Sequence, residues 1–532
     1  MPTLDTKPQA VLTRLSIMMF LQFFAWGAWF VTLALAMGTH DLGAFIGGAF
    51  ESAPIAAIFA PLFLGLIADR LFPSDKVMAV LLIIGGVLMC LLPSMAAKTE
   101  ALYQPVDTLT QQLNETPEAI VALGTDPNAD IVTTLSAEGA TVSEGTSTIV
   151  SDLIAANDAY LASGGMIVWV MIAYMLCYMP TLGLANTITF THLPQELFPK
   201  ARVWGTIGWI VAGLAVAAMG WSASLNIFWL GAVSSLLLGI YSFTLPKTHP
   251  PAKGKPLNIG SLLMLDALKM LKHPPFLVFS VCSFLICIPL AYYYAETAPF
   301  LGAAGYAEPA STMTIGQMSE IFFMLLIPFF FRKLGVKLML MIGMGCWVLR
   351  YILFAFGAPD QIAWMLIAGV ALHGICYDFF FVTGFIYADK KAPAEIRGQA
   401  QSLLVFLTQG LGMFIGFRMA FGASLPFGGP KLPSTVTFGE TTYGNGPSDT
   451  LVKAIEAANK DLPAPSFFEK LINMFGKGYP EGIDSTLINQ TMVEWQNYWY
   501  FPAGMAAVIL VIFAVAFWDK VKADEDDAED TA

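Results

Sequence analysis

The sequence predicts an all-α integral membrane protein, with twelve transmembrane helices in two six-helix bundles and two long external loops. Three observations carry that expectation. Of the 532 residues, 56% are hydrophobic and only 12% charged, and the mean hydropathy of +0.65 exceeds what soluble domains reach. Twelve windows are continuously apolar over lengths that cross roughly 30 Å of hydrocarbon as helix, at about 1.5 Å per residue. Barrel strands would instead show about ten residues of alternating polarity. Lys and Arg, finally, gather on alternate sides of these windows, as the positive-inside rule requires.

In order, the windows run about 12–37, 43–69, 76–97, 164–191, 202–222, 225–245, 274–302, 311–331, 336–357, 361–388, 396–421 and 497–518. The first is read as a retained helix, because its apolar run outlasts that of a signal peptide and no small-residue cleavage site follows. A basic, Pro-containing stretch divides six windows from six. The expected organisation is therefore a bundle over 1–245, a cytoplasmic linker over 246–273, a second bundle over 274–518 and an acidic cytoplasmic tail over 519–532. An internal echo agrees: Pro199-Lys-Ala-Arg202 opens window five and Pro393-Ala-Glu-Ile-Arg397 opens window eleven. The external loops fall at 98–163 and 422–496. In the first, Ile149, Val150, Leu153, Ile154, Tyr160 and Leu161 have helical spacing and extend window four. In the second, Ser466-Phe-Phe-Glu469 is a capping box ahead of Leu471, Ile472 and Phe475, which reads as a short amphipathic helix over the outer face or the pathway mouth.

With both termini cytoplasmic, the outer side carries only Lys98 and, within one long loop, Lys431, Lys453, Lys460, Lys470 and Lys477. The net charge of -12 resides in the loop after Lys98 and in the tail 524–530, so it speaks for solvated segments and not for a nucleic-acid partner. All six cysteines fall inside apolar windows as small hydrophobes, without disulfide or metal-ligand spacing, and no cofactor is implied.

Ionisable groups in mid-membrane are the functional signal, since a charge in hydrocarbon costs at least a few kcal/mol. Counting along the windows puts Glu320 roughly 16 Å, Asp378 about 15 Å and Arg350 about 21 Å from the cytoplasmic end. Two acids and a base in one slab suit a proton-coupling device, in which protonation follows whether Arg or substrate is the neighbour; a permanently ionised lock between helices is the alternative. Gln317 and Glu320, three apart, share a helix face; His373 and Tyr377, four apart, share another, and both sets can line one cavity. Glu51, inside window two, faces the pathway or pairs with a cation on a neighbouring helix. Trp26 and Trp29 suit interfacial packing or substrate stacking alike. Between windows two and three, Gly65-Leu-Ile-Ala-Asp69-Arg70, then Lys76, fits a close helix approach and a gating charge latch. Neither long loop holds a nucleophile-base pair or a phosphate cradle, so an enzyme is not expected.

That loop resembles the signature of the major facilitator superfamily. Longer motifs resemble the nucleoside:proton symporter family: Leu21-Gln22-Phe-Phe-Ala-Trp26-Gly27, Tyr178-Met-Pro180-Thr181 through Asn186, Arg202-Val-Trp204-Gly205-Thr206, Gln317-Met-Ser-Glu320, Trp347-Val-Leu-Arg350 and Tyr377-Asp378-Phe-Phe. The resemblance implies the major facilitator fold and proton-coupled nucleoside uptake across a bacterial inner membrane, by a monomer in the lipid bilayer. It implies substrate binding at Arg202, Thr206, Gln317, Glu320 and Tyr377, and proton coupling at Asp378, Glu320 and Arg350. Departures stand at Ala291 and Tyr294, where relatives carry amides, and at His373, where an aromatic is expected. They leave a proton-coupled carrier of sugars or modified nucleosides as one alternative, and the two long outer loops leave another, a non-transporting membrane receptor that uses them to bind a ligand or partner.

Overall fold

The computed structural model describes residues 8–63, 71–125, 131–136, 142–194, 197–250, 260, 263–393, 396–422, 435–444, 446–460 and 465–519. The latch residues Gly65, Asp69 and Arg70 lie outside them.

The first half is built from α1 (Pro8–Phe30), α2 (Leu33–Thr39), α3 (Ile46–Phe63), α4 (Ser74–Asn114), α5 (Pro117–Thr125), α6 (Ile131–Ser136), α7 (Glu144–His192), α8 (Phe198–Met219) and α9 (Ile227–Ser242). After α10 (Leu265–Met270) the second half follows with α11 (Pro274–Ala303), α12 (Pro309–Gly357), α13 (Ala363–Ala371), α14 (His373–Tyr377), α15 (Thr383–Lys391), α16 (Arg397–Val405) and α17 (Met413–Phe421). A hairpin of β1 (Val436–Phe438) and β2 (Thr441–Tyr443), then α18 (Thr450–Lys460), α19 (Phe467–Asn473) and α20 (Ser485–Ala516), complete the chain. Among the described residues, ten helical stretches are long and apolar enough to cross a bilayer, and α9 is a shorter apolar helix. One of the ten, α12, holds two of the expected windows. Gly335, at φ +66°, breaks it into 309–334 and 336–357, each long enough at about 1.5 Å per residue to span the hydrocarbon.

Within the first half, α1 packs on α8 and α9, and α4 on α7 and α9; in the second, α12 packs on α13, α14 and α20, and α11 on α17 and α20. The halves meet where α8 lies on α12 and where α3 lies on α17 and on the π-helical turn Phe406–Gly412. Glycine allows both approaches. A Cβ at Gly213 would stand 2.7 Å from Thr314 Cγ2, and one at Gly410 would stand 2.9 Å from Ile58 Cγ1.

The described residues of the loop at 98–163 are more helical than its Thr, Ser and Asp content suggests. Helix α4 continues to Asn114 and α7 starts at Glu144, so two helices project together past the window ends. Val106 and Leu113 are buried with Val150, Leu153 and Tyr160, Tyr103 packs on Tyr160 at 5.3 Å, and Thr99 Oγ1 bonds Ser163 Oγ at 2.8 Å. Apolar residues at helical spacing outweighed the polar composition between them. The capping box ahead of α19 is present: Ser466 Oγ accepts from the Glu469 N–H, and the Glu469 carboxylate accepts from the Ser466 N–H at 2.6 Å.

Residues 446–460 and 465–479, which include α18 and α19, form a strap on the side of the long loops. It is tied to the second half by Ala307 N–H to Gly476 O (3.0 Å), Gly478 N–H to Gly305 O (2.8 Å) and Tyr479 OH to Ala303 O (2.8 Å). It touches the first half through side chains: Lys453 pairs with Asp41, and Lys470 Nζ donates to Met219 O at 3.1 Å.

Candidate functional site

Between the halves lies a cavity of about 260 Å³, bounded by α1, α3, α7 and α8 on one wall and by α11, α12, α14, α17 and the π-helical turns Asp378–Val382 and Phe406–Gly412 on the other. That volume suits one compact ligand. The first-half wall presents Gln22, Trp26, Asn186, Arg202, Thr206 and Trp209. The second-half wall presents Tyr294, Gln317, Glu320, His373, Tyr377 and Gln409. Polar groups on both walls of a mostly apolar cleft are the pattern of a small-molecule site.

Every residue expected to bind substrate lines this cavity: Arg202, Thr206, Gln317, Glu320 and Tyr377. Thr206 Oγ1 donates to Glu320 Oε1 at 3.3 Å, a hydrogen bond that crosses from one half to the other. Arg202 lies with its guanidinium 4.2 Å above the Phe23 ring, and its buried Nη1 has no hydrogen-bond partner among the described residues. Gln317 and Glu320 share the cavity face as their spacing requires, because residues three apart fall on one side of α12.

The two other coupling candidates stand behind that lining. Asp378 is fully buried, does not line the cavity, and neither carboxylate oxygen has a hydrogen-bond partner among the described residues. It opens a π-helical turn, Asp378–Val382, directly after Tyr377. Such turns shift side chains off the regular helical register and are frequent at functional sites. Arg350 is also fully buried, its guanidinium 4.0 Å above the Tyr293 ring and without a hydrogen-bond partner among the described residues. The expected neighbourhood of Arg350 with the two acids is therefore not an ion pair in this conformation. Depth along a helix follows from residue count, whereas the direction around it places Arg350 against α11.

His373 is a ring among rings. It stacks on Tyr293 at 5.3 Å, meets Tyr294 edge-on at 6.1 Å and tilts against Tyr377 at 5.9 Å, and its buried Nδ1 has no hydrogen-bond partner among the described residues. Trp26 lines the cavity and packs edge-on against Phe30, Tyr178 and Trp209, while Trp29 is buried behind it. Glu51 resolves as an inter-half partner: Arg418 Nε and an Nη reach its two carboxylate oxygens at 2.8 and 3.1 Å, both side chains buried. Phe50 stacks on Phe417 and Phe421 beside that pair.

Gln409, on the turn Phe406–Gly412, lines the cavity and had no signal in the sequence, because a lone Gln in an apolar window is unremarkable until the π-helical turn is known. Gln22 and Asn186 were visible only as members of longer motifs.

Two membrane-embedded helical halves around a central cleft with polar groups on both walls define a secondary carrier of the major facilitator class. The comparisons name the family. Residues 10–106 and 135–425 match the nucleoside H+ symporter family, and the chain belongs to it. It is 36% identical over 418 residues to the transporter YegT of Escherichia coli K12, covering 76% of this chain and 83% of that one. It is 29% identical over 425 residues to the nucleoside permease NupG of the same organism, covering 76% and 85%. The crystal structure of nucleoside transporter NupG superposes with a TM-score of 0.63 at 24% identity, over 96% of this chain and all of that one, a likeness of fold. Residues 426–532, the strap among them, lie outside the family match.

Proposed function

We propose that this protein takes up nucleosides across the inner membrane of a bacterium by proton symport with alternating access. Halves 1–245 and 274–518 would rock about the cavity, with both termini cytoplasmic, the strap external and a monomer as the working unit. The observation that carries the reading is the Thr206 to Glu320 hydrogen bond, which spans the two walls of a cleft with polar groups on both sides. A nucleoside offers ribose hydroxyls to Glu320, Gln317 and Thr206 and a base face to the Trp26 and Tyr377 rings.

Coupling would use the two carboxylates in sequence. Glu320 meets substrate at the wall, whereas Asp378, one residue from Tyr377 and shielded from the cavity, would exchange its proton only when the cleft rearranges. Arg350, now over Tyr293, is the cation that a shift of α11 would free to meet Asp378.

The test is uptake of labelled uridine into proteoliposomes under an imposed inward proton gradient. Asp378→Asn should abolish uphill accumulation while exchange of uridine for uridine persists. Undiminished, pH-dependent accumulation by that variant would overturn the coupling role. Uptake of disaccharides in preference to nucleosides would overturn the substrate.

A further inference from the structure

Gln22 lines the cavity, is fully buried, and its Oε1 has no hydrogen-bond partner among the described residues. Its Nε2 is held: it donates to Thr181 Oγ1 at 2.7 Å. The direction of that amide is fixed by hydrogen-bond logic. The Thr181 hydroxyl gives its only proton to Tyr178 O at 2.6 Å, so towards Gln22 it can act only as an acceptor. Nitrogen must therefore face Thr181, and oxygen is left over. The backbone beneath is fixed as well, since Tyr178 OH donates to Gln22 O.

A buried acceptor without a donor costs about 1–3 kcal/mol, and such groups persist in native structures where something else completes them. We propose that Gln22 Oε1 is a specificity-determining acceptor for the transported ligand, recognising an N–H or O–H that the ligand presents to α1. The inference rests on the nucleoside reading above and deepens it. Two donors on a pyrimidine nucleoside share that chemistry, a ribose hydroxyl and the ring imino N–H. Thr181 and Tyr178 are positioning residues, acting on the ligand through the orientation of Gln22.

The placement also accounts for a feature of the opposite wall. At Ala291 and Tyr294, on α11, the sequence lacks amide side chains, and of this pair only Tyr294 lines the cavity. The amides that do line it come from Gln22 and Asn186 on one wall and from Gln317 and Gln409 on the other. Selection among ligands by amide is thus shared with the first half.

The experiment measures competition against labelled uridine in proteoliposomes containing wild type, Gln22→Met and Thr181→Val. The competitors are uridine, 2′-deoxyuridine, 3′-deoxyuridine and 3-methyluridine. Wild type should bind at least one analogue about ten-fold more weakly than uridine, and the analogue against which Gln22→Met ceases to discriminate identifies whether hydroxyl or imino donor meets Gln22. Gln22→Met should bind uridine about ten-fold more weakly and discriminate no longer against that analogue. Thr181→Val frees the amide to turn and should raise KM with a smaller loss of discrimination. Wild-type discrimination retained in Gln22→Met overturns the proposal, as does equal binding of all four ligands by wild type. Should Gln22→Met fail to insert, Gln22→Asn supplies the measurement, because its shorter side chain withdraws the acceptor from the ligand and must lose the discrimination. If wild type takes up no nucleoside at all, the substrate reading fails instead, a result distinct from every outcome above.

Discussion

The Glu51 to Arg418 pair joins α3 of one half to α17 of the other, both side chains buried, with two contacts at 2.8 and 3.1 Å. Arg418→Met would leave the Glu51 carboxylate without its guanidinium in an apolar cleft. Removing one partner of a buried pair costs about 3–5 kcal/mol, whereas exchanging both for uncharged groups of similar size is close to neutral. A protein that can open the strap side escapes this penalty by letting water reach Glu51. The closed arrangement should thus lose roughly two to four powers of ten in population relative to the open one. Cys287 is a native reporter: it lines the cavity, is fully buried and is a free thiol. A membrane-impermeant thiol reagent applied to right-side-out vesicles, with the Cys287 peptide read by mass spectrometry, measures that opening. Arg418→Met should label far faster than wild type, and Glu51→Gln combined with Arg418→Met should return towards the wild-type rate. Equal labelling of wild type and Arg418→Met, or no recovery in the double variant, would refute the argument.

Other consequences are as direct. Glu320→Gln keeps the volume but removes the charge at the Thr206 contact, and should cut uridine uptake by at least about ten-fold and flatten its pH dependence, read in proteoliposomes. Glu308 accepts from the Ser222 N–H at 3.4 Å on the strap side, and burial pushes its carboxyl from 4.5 up to about 7, with Glu456 adding to the rise and Ser222 and Lys470 opposing it. An acid with a raised pKa stabilises the closed contact fully below about 4.5 and loses that contribution as pH passes through about 7. The ratio of Cys287 labelling in wild type to that in Glu308→Gln should therefore climb between those values; a ratio constant with pH would exclude the effect. Lys453→Ala removes a half-exposed partner of Asp41 and should raise Cys287 labelling only a few-fold, far less than Arg418→Met, since such pairs contribute about 1 kcal/mol or less.

Much of the architecture was legible because bilayer thickness imposes a length on each helix, and continuous apolar runs betray it. Gln317 and Glu320 were legible for a similar reason, since three-residue spacing forces a shared face. Direction around a helix was less so. Arg350 turns to Tyr293 on α11, and Asp378 lies behind Tyr377 because neighbouring residues point about 100° apart around a helix, which a count of depth does not register. Arg418 went unremarked near the end of window eleven, where a cation looks like an interfacial anchor, and only the fold brings it to Glu51, 367 residues away in sequence. Likewise, the oxygen of Gln22 could be oriented only once Thr181 and Tyr178 were seen to have spent their donors elsewhere.

The strap joins the second half through main-chain hydrogen bonds but meets the first half through the side chains of Lys453 and Lys470. When the halves part, it must travel with the second as an awning instead of staying behind. Solutes approaching from that face would pass beneath the overhang before reaching the cleft. Bulk, and not chemistry, would be the first property screened, favouring single small molecules over chains of them.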